Sequence, residues 1–287
     1  MAERSGTAMR NAMTIDVEDY FQVSAFEHHI SRESWDRLPC RVERNMDLIL
    51  NLLDAADTKA TFFTLGWIAE RYPELVKRLV AQGHELASHG YAHRRASDQS
   101  RKEFLDDVSR AKKLLEDLGG VEVKGYRAPS FSIGADNMWA LAVLREAGYC
   151  YSSSIYPVAH DHYGMPEAPR FSYTPPAGNG LLELPPTTIH ALRRNWPASG
   201  GGYFRLLPYP VSRAMIKHIN HHEQQPAIFY FHPWEIDPEQ PRQQNISFKS
   251  RFRHYINLQR MHGRIGQLLS DFQWGRMDDI FLSGAHA

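Results

Sequence analysis

The stretch that decides the fold is Ala12 to Asp19, AMTIDVED. Its first half is apolar and β-branched, the composition of a strand buried on both faces. It then turns abruptly acidic, so Asp16, Glu18 and Asp19 fall at the carboxyl end of that strand. Working outward, the same grammar repeats. Arg41–Ala56 carries Val42, Met46, Ile49, Leu50 and Leu53 at helical spacing. Ala60–Leu65 (ATFFTL) is a second buried strand. Pro73–Gln82 is a helix opened by proline and ended by Gly83, and His84–Ser88 is a short strand. Ser100–Leu118 is an amphipathic helix stopped by Gly119-Gly120, Val123–Arg127 a strand, and Asp136–Ala147 a helix stopped by Gly148. Tyr149–Ser154, Leu181–Leu184 and Ala227–Phe231 supply three more strands. Strand alternating with helix predicts a parallel sheet with helical crossovers, closed into a barrel or left open. Tyr156–Gly180 and Pro233–Ser250, rich in Pro, Gly and His, read as long loops.

The 287 residues include 43% hydrophobic positions, enough for a sizeable core, and no internal repeat marks a domain boundary. Residues 1–287 are therefore expected to form one domain, with a core at about 13–237 and a helical segment at about 246–287. The 33 basic and 33 acidic residues balance, so no global field draws the chain to nucleic acid. Two distant cysteines, Cys40 and Cys150, make no disulfide framework and are expected to be buried free thiols. The start, Met1 to Arg10, is short and polar, and no apolar run reaches bilayer length. These features predict a cytoplasmic protein with no membrane span.

Side chains capable of chemistry sit just after the strands, where parallel α/β folds place their sites. Ser88-His89-Gly90-Tyr91-Ala92-His93 carries two imidazoles four positions apart, a pair suited to zinc and related ions. Three carboxylates within Asp16–Asp19 repel one another and call for a cation or an arginine. One of them could complete a His-His-carboxylate metal site and another could accept a proton from a metal-bound water. Arg127, in Gly125-Tyr126-Arg127-Ala128-Pro129, could pair with such a carboxylate. His232 lies between aromatic neighbours in FYFHPWE and is a candidate general acid, with Tyr230 and Trp234 as apolar walls for a sugar. The run Ser199-Gly200-Gly201-Gly202-Tyr203 lets backbone approach a ligand but lacks the lysine of a phosphate loop. Pro129, Tyr203 and Trp234 are the candidate substrate contacts. No GxSxG elbow, Cys-x-x-Cys knuckle or Rossmann fingerprint is present.

In this order, from Met13 to Asp237, the segments resemble the polysaccharide deacetylases of carbohydrate esterase family 4. The phrases DVEDYF, GYRAPSFS, GGGYFR and FHPWEIDP are similar to one branch, the deacetylases associated with exosortase (PEP-CTERM) exopolysaccharide loci. The resemblance implies an α/β fold, a distorted (β/α) barrel of about seven strands. It implies Asp16 as base, His89 and His93 as metal ligands, Arg127 as the group orienting Asp16, and His232 as acid. The family's usual second aspartate is replaced by Val17, and Asp-x-Asp spacing then nominates Glu18 as third ligand, with Asp19 as competitor. Where the family often has an aspartate this chain has Ser152, which nominates Glu183 or Glu235 as support for His232. The implied reaction is metal-dependent removal of N-acetyl groups from an amino-sugar polysaccharide, with zinc the first choice and cobalt, nickel or manganese accepted by the same ligands. The rival readings are a cyclic amide or ureide hydrolase and a non-catalytic carbohydrate-binding homologue.

Overall fold

The computed structural model describes residues 9–159, 164–244 and 246–283. The first eight residues of the polar N-terminal stretch, and residues 160–163 of the first expected loop, lie outside them. The strands in chain order are β1 (Arg10–Val17), β2 (Thr61–Thr64), β3 (Glu85–Ser88), β4 (Gly125–Tyr126), β5 (Tyr151–Ser152), β6 (Leu182–Glu183), β7 (Thr188–Ala191), β8 (Arg194–Pro197), β9 (Ile228–Phe231) and β10 (Gln273–Gly275). The helices are α1 (Val42–Ala55), α2 (Gly66–Arg71), α3 (Pro73–Ala81), α4 (Arg101–Gly119), α5 (Trp139–Glu146), α6 (Gly201–Leu206), α7 (Tyr209–His221), α8 (Phe248–Tyr255), α9 (Leu258–Asp271) and α10 (Met277–Phe281).

β1 is buried at every residue after Arg10 and takes parallel partners on both edges. β9 lies on one edge, with Ala12 opposite Ile228 and Ile15 opposite Phe231. β2 lies on the other, with Thr14 opposite Thr61 and Val17 opposite Thr64. The start of β1 pairs with β10, Ala12 facing Gly275. Because Ala12 already faces Ile228 across one edge, β10 shares the opposite edge with β2 and sits end to end with it. From β2 the sheet continues in parallel through β3, β4, β5 and β6. Just past β6, Thr187 N–H donates to the Ile228 carbonyl (3.3 Å) and Ile228 N–H donates to the Thr187 hydroxyl (2.6 Å), so the curled sheet nearly meets itself. The result is the distorted (β/α) barrel expected from the sequence.

Side-chain alternation along the strands divides the core in two. Met13, Ile15, Val17, Phe62, Leu86, Phe229 and Phe231 pack outward against the apolar stripes of α1, α3, α4, α5, α7 and α9. Ala12, Phe63, Ala87, Tyr151, Leu184 and Ile228 fill the barrel interior. The inward positions nearer the carboxyl ends of the strands are polar, and these build the site. The helices obey local rules: α4 begins with a reciprocal Ser100–Glu103 capping box and stops at Gly120, whose φ of 65° suits glycine.

Several elements differ from the sequence reading. β4 keeps only two paired residues of the expected Val123–Arg127, and Gly125 lacks a Cβ because the Tyr151 ring lies against it. The expected helix Asp136–Ala147 enters through a 3-10 turn and becomes α-helical only at Trp139. The expected loop Pro233–Ser250 opens with a 3-10 turn over Pro233–Ile236 and is already α8 at Phe248. The β7–β8 hairpin, α2, α6, α7 and β10 had no clear sequence signal. Cys40 and Cys150 are free but half-buried rather than fully buried. Among the described residues no helix is long and apolar enough to cross a membrane.

Candidate active site

Strand ends deliver the reactive groups to one place. Asp16 comes from β1, Glu18 from the turn after it, His89 and His93 from the loop after β3, Arg127 from the end of β4 and His232 from the end of β9. Asp16, Glu18, His89, His93 and Arg127 are all buried, while the His232 side chain is 20% exposed.

Arg127 is the anchor. Its guanidinium donates to Asp16 Oδ1 (2.6 Å), the Thr14 hydroxyl (2.8 Å), the Ser153 hydroxyl (3.0 Å) and the Ser153 carbonyl (3.3 Å). Its carbon sits 4.1 Å over the Phe63 ring, a cation–π contact in a desolvated setting. These contacts fix the Asp16 carboxylate in position and direction. The Arg127 carbonyl accepts a 2.8 Å hydrogen bond from His89 Nδ1. A carbonyl can only accept, so Nδ1 carries the proton and Nε2 keeps its lone pair. Burial pushes the His89 pKa down to about 4 despite the nearby Asp16 and Glu18, so the ring is neutral near pH 7.

Glu18, His89 and His93 each offer one ligand atom, all within 4.8 Å of one another, and this set could hold a metal ion. Glu18 Oε2 lies 2.7 Å from His93 Nε2 yet is a buried oxygen without a hydrogen bond. Two imidazoles and a carboxylate with an unsatisfied buried oxygen fit a divalent cation by donor chemistry as well as spacing. Burial raises the Glu18 pKa, but His93, His232 and His89 outweigh it and hold the carboxyl at about 2. His93 takes up a left-handed backbone conformation (φ 51°), and Arg32 donates to the carbonyls of Ala92 (2.8 Å) and His93 (2.9 Å), clamping that turn.

Asp19 points elsewhere. Its Oδ2 accepts from the backbone N–H groups of Arg41 (2.5 Å) and Val42 (2.9 Å) and from the Cys40 thiol (2.9 Å). It thereby satisfies donors at the start of α1. This corrects the expectation that Asp19 competes with Glu18 for the metal position. Of Glu183 and Glu235, only Glu235 touches His232. Glu235 Oε1 accepts from His232 Nδ1 (2.7 Å), and its Oε2 accepts from Arg205 Nε (2.8 Å). Glu183 Oε1 instead accepts the N–H groups of Ser154 (2.7 Å) and Ile155 (2.8 Å), bracing the loop that supports Arg127. His232 Nε2 faces Glu18 Oε1 (3.6 Å) and Asp16 Oδ2 (3.8 Å). Burial would push the His232 pKa down, but Glu18, Glu235 and Asp16 overcome it and raise it to about 9. At neutral pH this imidazole is a cation with a proton available at Nε2.

The proposed substrate walls need revision. Trp234 stacks between His232 (centroids 5.2 Å) and His254 (4.2 Å), and its indole N–H donates to Glu18 Oε1 (3.2 Å). Both ring faces are covered, so Trp234 braces the acidic group and offers no free face to a sugar. Pro129 is buried at the turn after Arg127, and Tyr203 is half-buried on α6. The glycine run also has another explanation. A Cβ at Gly201 would fall inside the Glu235 carboxylate, and one at Gly200 would meet the Tyr230 ring at 2.6 Å. Gly200 and Gly201 make room for site side chains. Arg205, Ser153, Thr14 and His254 were missed in the sequence, since nothing local marks a supporting residue.

Residues 34–152 match the family model for polysaccharide deacetylases, and residues 153–282 match a domain of unknown function, DUF3473. A peptidoglycan-N-acetylglucosamine deacetylase of Bacillus cereus is 37% identical over 101 residues, 35% of this chain and 46% of that protein. A peptidoglycan deacetylase of Helicobacter pylori is 33% identical over 81 residues, 28% of each. The chain spans less than half the length of these curated relatives. A structure from Mycobacterium smegmatis, assigned as a polysaccharide deacetylase, superposes with a TM-score of 0.61 at 18% identity, covering 98% of this chain and 92% of that one. A carbohydrate esterase family 4 pseudoenzyme from Bacillus anthracis superposes with a TM-score of 0.51 at 14% identity, covering 96% and 66%. The deacetylase match covers less than half of the chain and these relatives about a third of it, so the likeness to polysaccharide deacetylases is to one part of the chain, beside a shared fold. The cluster draws Arg127 and the histidine pair from the deacetylase match and His232, Arg205 and Glu235 from the DUF3473 match, while Asp16 and Glu18 precede both.

Proposed function

We propose that this chain is a divalent-metal-dependent hydrolase that removes N-acetyl groups from an amino-sugar polysaccharide or its precursor, releasing acetate. The observation that carries the reading is the convergence of Glu18, His89 and His93 beside an Arg127-fixed Asp16, with a cationic His232 facing them. A metal would be held by Glu18, His89 and His93, with zinc the first choice on ligand type. When bound, a divalent ion lowers the pKa of a water and polarises a carbonyl.

Each protein group then has one task. Asp16, held through Oδ1, has Oδ2 left to accept the proton of the attacking water. His232 donates its Nε2 proton to the amine nitrogen as the carbon–nitrogen bond breaks, giving acetate and a free amino sugar. Glu235 keeps the His232 ring aimed and charged. The similarity of DVEDYF, GYRAPSFS, GGGYFR and FHPWEIDP to the exosortase-associated branch favours an exopolysaccharide as substrate. The segments on either side of residue 153 act as one catalytic unit, because the machinery is divided between them.

The test is acetate release from a panel of N-acetylated oligosaccharides, with and without chelator, in wild-type and Asp16→Asn protein. We expect chelator-sensitive release by the wild type. Asp16→Asn keeps its metal content and loses turnover. Release untouched by complete metal removal, or full activity in Asp16→Asn, would overturn the scheme, and cleavage of cyclic amides alone would favour the rival hydrolase.

A further inference from the structure

Among the described residues two phenylalanines stand out into solvent, and both are on α8. Phe248 is 82% exposed and Phe252 46%. Four positions apart, they share one side of the helix, and their rings stack with centroids 6.5 Å apart and planes 22° from parallel. Single exposed apolar side chains are ordinary, but two aromatic rings gathered into one patch mark a contact surface. The charge around them has one sign. From Gln240 to Ser270 the chain has no acidic residue, while Arg242, Lys249, Arg251, Arg253, Arg260 and Arg264 are basic, in a protein whose total charge is zero. At about 100° per residue, Lys249 and Arg253 fall on one flank of the phenyl pair and Arg251 on the other. All three are exposed.

The helix is fixed to the body of the protein. Arg205 donates to the carbonyls of Arg253 (3.2 Å), His254 (2.9 Å) and Ile256 (2.8 Å) while also holding Glu235 (2.8 Å). His254 stacks on Trp234, which stacks on His232, so the end of α8 lies two ring stacks from the proton donor. Two occupants match apolar rings among cations: an anionic lipid surface and an acidic polysaccharide. The rings decide between them. Stacked on one another, they form a wedge of hydrocarbon rather than a flat platform for a sugar, and neither carries a polar atom to meet a sugar hydroxyl. Rings flanked on both sides by long cationic side chains suit the boundary between lipid headgroups and acyl chains, where the rings are buried and the cations reach the phosphates.

We propose that α8 docks the protein on an anionic phospholipid surface, with Phe248 and Phe252 entering the headgroup–acyl boundary and Lys249, Arg251 and Arg253 lying among the lipid phosphates. Docking there sets the His232 site close to the bilayer, whatever the reaction. Co-sedimentation of the full chain with vesicles of phosphatidylcholine alone, and of phosphatidylcholine mixed with phosphatidylglycerol, needs no sugar substrate and so reads docking independently of deacetylation. Binding is expected to the mixed vesicles, weakening as salt rises, with little to phosphatidylcholine alone. Phe248→Ser should weaken it about tenfold or more and Arg251→Glu about fivefold or more, the ranges for burying an aromatic side chain and for one basic residue at an anionic surface. Both side chains are exposed, so thermal unfolding of the variants, recorded alongside, should match the wild type. Absence of binding to the mixed vesicles by the wild type would overturn the proposal, as would binding that either variant leaves unchanged. A soluble polyuronic acid is the control: Phe248-dependent binding to it, with none to vesicles, would overturn lipid docking in favour of an acidic glycan.

Discussion

Replacing Gly201 by alanine probes whether His232 owes its charge to Glu235. The added Cβ would occupy the place of both Glu235 carboxylate oxygens, and real Cβ atoms do not come within 3.0 Å of such neighbours. The carboxylate must retreat, although Arg205 and His232 hold it at 2.8 and 2.7 Å. A hydrogen bond to a charged group contributes about 1.5–3 kcal/mol. At about 1.4 kcal/mol per pKa unit, its loss lowers the His232 pKa by about one to two units. Starting from about 9, the ring would titrate between roughly 7 and 8. The protonated fraction at pH 8 then falls from about nine-tenths to between about one-half and one-tenth, while at pH 6 it barely changes. Gly201→Ala should therefore lose up to about tenfold in kcat at pH 8 and little at pH 6. The assays are the pH profile of acetate release and, independently of activity, the NMR titration of the His232 ring. An unmoved His232 titration in a folded Gly201→Ala protein would refute the reasoning.

His89→Ala and His93→Ala should each lose bound metal by elemental analysis, with turnover reduced by at least about 10²-fold; metal retained in both would remove the proposed ligand set. Arg127→Leu leaves Asp16 buried without its partner and should cost about 3–5 kcal/mol in urea unfolding, and a loss below about 1 kcal/mol would mean that the pair does not anchor the site. Because the His232 pKa is raised on folding, its contribution to stability is complete below about pH 6.5 and lost as pH rises through about 9. Unfolding of metal-free protein should show this as a decline of at most about 3 kcal/mol that His232→Gln flattens, and an identical slope in the variant would contradict it.

The legible parts of the fold were those with periodic apolar sequence. The β1, β2 and β9 segments are nearly uninterrupted runs, and the α1 and α4 stripes repeat at helical spacing, so their burial could be read directly. The β7–β8 hairpin could not, because Thr188–Pro197 lacks the clean alternation of a half-buried pair. α7 was hidden by Pro208 and Pro210 at its start, and three-residue β10 carries too little pattern to count. In the site, the choice between Glu18 and Asp19 had a usable signal. Alternation along β1, continued by two residues, sets Asp16 and Glu18 on one side and Val17 and Asp19 on the other. The glycine run carried no local sign of its role, because a missing Cβ serves a side chain from a distant strand end as readily as a ligand or a turn.

The end-to-end seating of β10 and β2 along one side of β1 has a consequence for the order of assembly. Strand β1 is completed only when residues 228–231 and 273–275 arrive to pair with it. Contacts so far apart in sequence make for slow folding. Asp16 lies on that strand and Glu18 just after it, so their placement waits on partners distant in sequence. A chain lacking residues 228–231 would lose the β9 partner of Ile15 together with the neighbouring His232, leaving Asp16 paired along one edge alone.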